Sequence, residues 1–135
     1  GMIAKSKASE VGPAAGEYIK LQDAFVAEKG TVIGGWKIIG YEMANSSNFT
    51  YGGKTDNSET SIESGLEKGW TATATATLND CVNGNWGLSV VANEASGGSV
   101  VYNALITGAA SGDCITLTPN FDKFQTNTAS SLAAF

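Results

Sequence analysis

The residues with the clearest chemistry in this chain are its two cysteines, Cys81 and Cys114, 33 positions apart. They lie in a stretch rich in Thr, Ser, Asn and Gly. An even pair in that background reads as a disulfide; the alternative is two buried thiols in a cytosolic protein. Closing the intervening loop would stabilise the fold by roughly 4 kcal/mol by the loop-entropy argument. It would also place the chain in an oxidising compartment: periplasm, cell surface or medium.

Proton-transfer chemistry is poorly provided for. The chain has no histidine, the side chain that most often shuttles protons near neutral pH. Neither a Ser-His nor a Cys-His nucleophile pair can be assembled, and two cysteines alone fall short of a zinc site. Glycine pairs occur, but no G-x-x-x-x-G-K-S/T and no G-x-G-x-x-G after a strand. Glycoside hydrolysis needs two carboxylates brought together by the fold. Asp80 and Asp113 are candidates, yet both lie in turn-like sequence where Asp is ordinarily a turn former. Asp56-Asn57-Ser58-Glu59, and Asn79-Asp80 with Asn83, offer oxygens to calcium without the spacing of an EF-hand loop. The inventory predicts no enzyme, no cofactor and no metal.

Two surface chemistries remain. Asn45-Ser46-Ser47 and Asn48-Phe49-Thr50 match the glycosylation triplet, which matters only in a eukaryotic secretory pathway. Trp36 and Trp86 are the candidate ligand-facing aromatics of a sugar-stacking platform; the competing reading puts Trp36, Trp70 and Trp86 in the core or under loops. With a net charge of -5 and no arginine, the chain repels nucleic acid and anionic membranes and lacks a bidentate phosphate fork.

The elements that must position these residues are those of one α+β domain of 135 residues. Residues 3–30 read as a helix. Val11, Ala14, Tyr18, Leu21 and Phe25 recur at helical spacing as an apolar stripe, and Gly30 is placed to cap it. Pro13 is its weak point. Either the helix starts near Pro13, or a longer helix from Ala4 kinks there; the second reading is favoured. Residues 31–69 read as a long connecting loop, with a short strand possible near Trp36. Residues 70–118 read as a meander of four antiparallel strands. The first alternates strictly, with Trp70, Ala72, Ala74, Ala76 and Leu78 on one face and threonines on the other. The small alanines let the helix approach closely. Asn83-Gly84 and Gly97-Gly98 mark hairpin turns, and Cys114 to Thr118 reads as the last strand. Residues 119–135 form an aperiodic tail.

This arrangement resembles the type IV pilins and pseudopilins in soluble form. The resemblance is carried by the helix beginning Ala4-Lys5-Ser6-Lys7-Ala8-Ser9-Glu10 with Pro13, the variable loop, the four-stranded meander and the Cys81–Cys114 pair. The family's leader and hydrophobic, Glu-containing helix half are absent from the sequence. The resemblance implies a long N-terminal helix packed on a four-stranded antiparallel sheet. It also implies a structural filament subunit, inserted in the inner membrane as a precursor and displayed on the cell surface or in the periplasm. Self-association would run through the missing helix and involve the inner-membrane assembly machinery, leaving the isolated chain monomeric. Lys5 and Lys7 would be free to pair with acids on neighbouring subunits. A secreted carbohydrate-binding or adhesive module without catalysis is the alternative.

Overall fold

The computed structural model describes residues 1–135. Two helical segments open the chain, α1 (Met2–Ala8) and α2 (Val11–Lys29). Ser9 and Glu10 between them keep right-handed helical angles, so the run is interrupted rather than turned. The expected kink at Pro13 is displaced to this point for a steric reason: a proline ring pushes on the carbonyl four residues earlier, here that of Ser9. Pro13 is the third residue of α2, a first-turn position where a missing N–H sacrifices no helical bond. α2 ends at Gly30, whose φ of 82° is left-handed and whose N–H reaches the Val26 carbonyl at 2.7 Å.

Residues 31–69, expected as a loop, carry β1 (Val32–Gly34), α3 (Trp36–Ile39), β2 (Phe49–Gly53), β3 (Glu59–Ser61) and the start of the strand that follows. The expected short strand at Trp36 is therefore a helical turn. There follow β4 (Leu66–Ala74), β5 (Asn85–Ala92), β6 (Val100–Ile106) and β7 (Ala133–Ala134). β1 and β3 pair as a small antiparallel sheet, and the main sheet has the order β2-β4-β5-β6-β7. Its first four strands are antiparallel neighbours, whereas β7 joins β6 in parallel.

The four-stranded antiparallel sheet is thus corrected to a five-stranded mixed sheet with a separate two-stranded one. β2 was hidden because Gly52 and Gly53 weaken its strand character; it forms because β4 offers a full pairing edge, from Phe49↔Ala74 to Gly53↔Trp70. The expected last strand is a 3-10 turn at Ile115–Leu117, which packs against α1 instead of extending the sheet. The place beside β6 is taken by the tail. Thr126 and Asn127 donate backbone N–H bonds to the Tyr102 carbonyl, each at 3.1 Å, and Ala104 N–H donates to Gln125 Oε1 at 2.7 Å. The residues 119–135 thereby close a sheet edge that would otherwise invite another strand.

The core lies between the helices and the inner face of the main sheet. Trp70 and Ala72 on β4, Trp86, Leu88 and Val90 on β5, and Tyr102, Ala104 and Ile106 on β6 alternate inward and are buried. Facing them are Ala4, Ala8, Val11, Ala14, Ala15, Tyr18, Gln22, Phe25 and Val26. Burying each of Leu88, Val90 and Ile106 contributes roughly 1.5–3 kcal/mol. The stripe passes through Gln22, and Leu21 is only half-buried. β4 begins and ends four residues earlier than the sequence suggests. Ala76 consequently lies beyond the strand and is half-buried, like Ala74, and Leu78 is buried in an isolated bridge to Cys81.

Candidate functional site

The helix is held on the sheet by polar side chains as well as by its apolar stripe. Gln22, fully buried, donates from Nε2 to the Gly34 carbonyl at 2.8 Å and to the Tyr18 hydroxyl at 3.0 Å. Its Oε1 accepts from Gly34 N–H at 2.9 Å. The Tyr41 hydroxyl donates to the Ala14 carbonyl and accepts from Trp70 Nε1, both at 2.9 Å. Burial is the main force that pushes the Tyr18 and Tyr41 hydroxyls up to about 12.

Two carboxylates on the helix make comparable clips. Glu10, at the interruption, accepts from the Ser46 and Tyr51 hydroxyls, each at 2.6 Å. Burial, and then the bond to Glu10, raises the Tyr51 pKa. Asp23 accepts from the Tyr102 hydroxyl at 2.6 Å; burial raises its pKa, against the lowering effect of that bond. Gln22, Tyr41 and Asp23 do not stand among the sequence candidates. Gln22 does carry a signal, since it lies four residues beyond Tyr18 and next to the predicted stripe.

The structure bonds Cys81 to Cys114, with Cα atoms 4.7 Å apart. It thereby brings Asp80 and Asp113 to one region, each beside a bridged cysteine, and both side chains are exposed. Asp56 is already engaged: Oδ1 accepts from the Ser58 hydroxyl at 2.6 Å and from Ser58 N–H at 3.0 Å. Its Oδ2 lies 3.4 Å from Lys54 Nζ. The Ser58 bonds, with Lys54 adding to them, hold its carboxyl below the usual range. No three of the chain's Cys, Asp and Glu residues are grouped closely enough to hold a metal ion.

Trp36 and Trp86, the candidate ligand-facing aromatics, are buried. Trp36 Nε1 donates to the Gly69 carbonyl at 2.9 Å, and Trp86 Nε1 to Thr118 Oγ1 at 2.8 Å. The Trp86 ring packs edge-on against Phe49, with centroids 5.5 Å apart. A buried indole satisfied in this way presents no face to a sugar, so the expected platform is corrected to core packing.

A groove of about 640 Å³ lies on the outer face of the sheet, between residues 64–68 and 130–135. Its only ionisable side chains are Glu67 and Lys68, and the Lys68 ammonium sits 4.2 Å over the Phe135 ring. A smaller apolar pocket of about 160 Å³ lies beside Gly12, lined by Leu117, Phe121 and Phe124 among others. The smaller pocket has no ionisable side chain in its lining.

No protein-family model, no curated protein and no solved structure matches this chain. Its surface therefore speaks for itself. No helix is long and apolar enough to cross a membrane, and the disulfide fits a secreted or periplasmic location. The most extended feature is the helical run, sunk along one side from Ala4 to Val26 and open along the other at Lys5, Pro13, Glu17, Lys20, Ala24 and Ala27.

Proposed function

We propose that this chain is the head of a structural filament subunit of the type IV pilin or pseudopilin kind. The observation that carries this reading is the helical run itself. One side is clipped to a β-sheet by apolar burial and by Gln22, Glu10 and Asp23, and the other stays open. A filament subunit needs that combination: a rod rigidly fixed to its own head, with a free side for its neighbours.

In this reading the preceding helix holds the filament together, assembly machinery in the inner membrane handles the precursor, and the product is displayed at the cell surface or in the periplasm. The chain turns over no substrate. The five-stranded mixed sheet and the tail along β6 form the outward head.

The test is expression of the native gene with whatever precedes Ile3. Membrane insertion followed by filaments that contain this chain is the expected result. A native reading frame with no hydrophobic run of about 20 residues ahead of the helix would overturn the proposal.

A further inference from the structure

We propose that residues 128–135 are an exchangeable strand, and that the seat they fill beside β6 accepts the same segment from a second copy of this chain. The inference concerns the outer face of the sheet, away from the helices, and stands apart from the filament reading.

The seat is built without the segment that fills it. Inward-facing Trp86, Leu88 and Val90 leave Gly87, Ser89 and Val91 of β5 on the outer face, and Asn103 and Leu105 of β6 lie beside them. At Gly87 the missing side chain is what makes room. A Cβ there would lie 2.9 and 3.2 Å from two atoms of the Phe135 ring, so the ring rests on bare backbone. On β4 the register shifts between Leu66 and Trp70. Within that irregularity Lys68 takes a left-handed φ of 47°, and its N–H donates to the buried Ser89 hydroxyl at 3.0 Å. The Lys68 ammonium lies 4.2 Å from the centre of the Phe135 ring. A bulge that re-aims one side chain, and a strained residue held by its neighbours, are devices that proteins use to clamp a ligand. Here the ligand is the chain's own phenylalanine, held by a glycine and a cation.

The segment itself is loosely tied. Residues 125–127 are attached to the β6 backbone: Thr126 and Asn127 donate to the Tyr102 carbonyl, Tyr102 N–H donates to Thr126 Oγ1 at 2.9 Å, and Ala104 N–H to Gln125 Oε1. Beyond them the hold weakens. No residue of 128–135 is buried. Ser130 Oγ donates to Asn103 Oδ1 at 2.7 Å in an exposed bond. β7 meets β6 at Leu105↔Ala133 and Ile106↔Ala134, and Phe135 N–H donates to the Ile106 carbonyl at 3.1 Å. A stretch with so little buried surface opens far more readily than the whole fold, which puts the hinge at Thr128.

Opening uncovers two complementary surfaces at once, the edge of β6 and a strand that carries an aromatic ring. A second opened copy matches both, which makes exchange a low-cost route to association. The closed and exchanged forms hold the same contacts, so protein concentration decides between them.

The test uses full-length variants and a dye-labelled synthetic peptide of residues 128–135, followed by fluorescence anisotropy. Phe135→Ala weakens the resident segment and leaves the seat intact, so F135A should bind the peptide at least about tenfold more tightly than the unaltered chain, whose own segment competes. The same peptide with alanine in place of its phenylalanine should not bind. Gly87→Val fills the seat and leaves the segment intact. G87V and F135A should each be monomeric alone and form a heterodimer when mixed, read by sedimentation velocity. The peptide measurement does not depend on G87V folding. Refusal of the peptide by F135A, equal binding of the alanine peptide, equal binding by the unaltered chain, or a mixture of folded variants that stays monomeric overturns the inference. None of those results bears on whether the native gene yields filaments, so the two proposals fail separately.

Discussion

Gln22 binds both backbone polar groups of a single residue, Gly34, accepting from its N–H at 2.9 Å and donating to its carbonyl at 2.8 Å. The pair fixes α2 to the first strand after it, at a fully buried side chain. Replacing Gln22 with leucine keeps the volume and strands two buried backbone groups, at a cost of about 2–4 kcal/mol. Urea unfolding of Q22L measures this directly. A loss below about 1 kcal/mol would mean that Gly34 finds other partners.

The cystine ties the 78–81 bridge to the turn that supports α1. Removing it as C81S/C114S should lower stability by about 2–5 kcal/mol. Thiol titration of the denatured, unreduced protein should find no free cysteine. A titre of two thiols would contradict the oxidising location.

Two glycines predict opposite outcomes for the same substitution. Gly12 has nothing within 4 Å of an added Cβ and sits in α2, so Gly12→Ala should stabilise by about 0.5–1 kcal/mol. At Gly69 the methyl would meet the Tyr18 hydroxyl at 2.5 Å and Leu66 at 3.0 Å. Gly69→Ala should therefore destabilise by about 1–3 kcal/mol. Thermal unfolding of both variants checks the contrast, and similar shifts would place Tyr18 elsewhere.

Alkali should unfold the protein through its buried tyrosines. Tyr18 and Tyr41 ionise at an ordinary 10.0 when unfolded and are pushed up to about 12 in the fold. The unfolded chain therefore loses these protons first, and stability present in full below pH 10 is lost as pH rises toward 12. Phenolate absorbance followed alongside circular dichroism should show these residues ionising together with unfolding. Ionisation near 10 in a still-folded protein would show that they are accessible.

Local signals were legible wherever the physics is local. Gly30 ends a helix because only a left-handed residue fits there, whereas the chain between β4 and β5 reverses at the Leu78–Cys81 bridge and not at Asn83-Gly84. β2 is different: Phe49 to Gly53 is no strand by composition and becomes one because β4 lies beside it. Cys114 to Thr118 has strand character, yet its disulfide and its contact with α1 hold it in a 3-10 turn. The candidate aromatics failed for a related reason, since nothing along the chain says which face of Trp36 or Trp86 will be covered.

By itself, then, the sequence determined an amphipathic helix ahead of a turn-rich β region, a cysteine pair fit for oxidation, and the lack of common catalytic groups. These depend on residue type and on neighbours a few positions away. Tertiary structure alone decided the five-stranded mixed sheet, the tail closing β6 and the Gln22–Gly34 clip. Each of those joins residues distant along the chain, and their geometry exists only once the backbone groups and side chains between them have found partners in space.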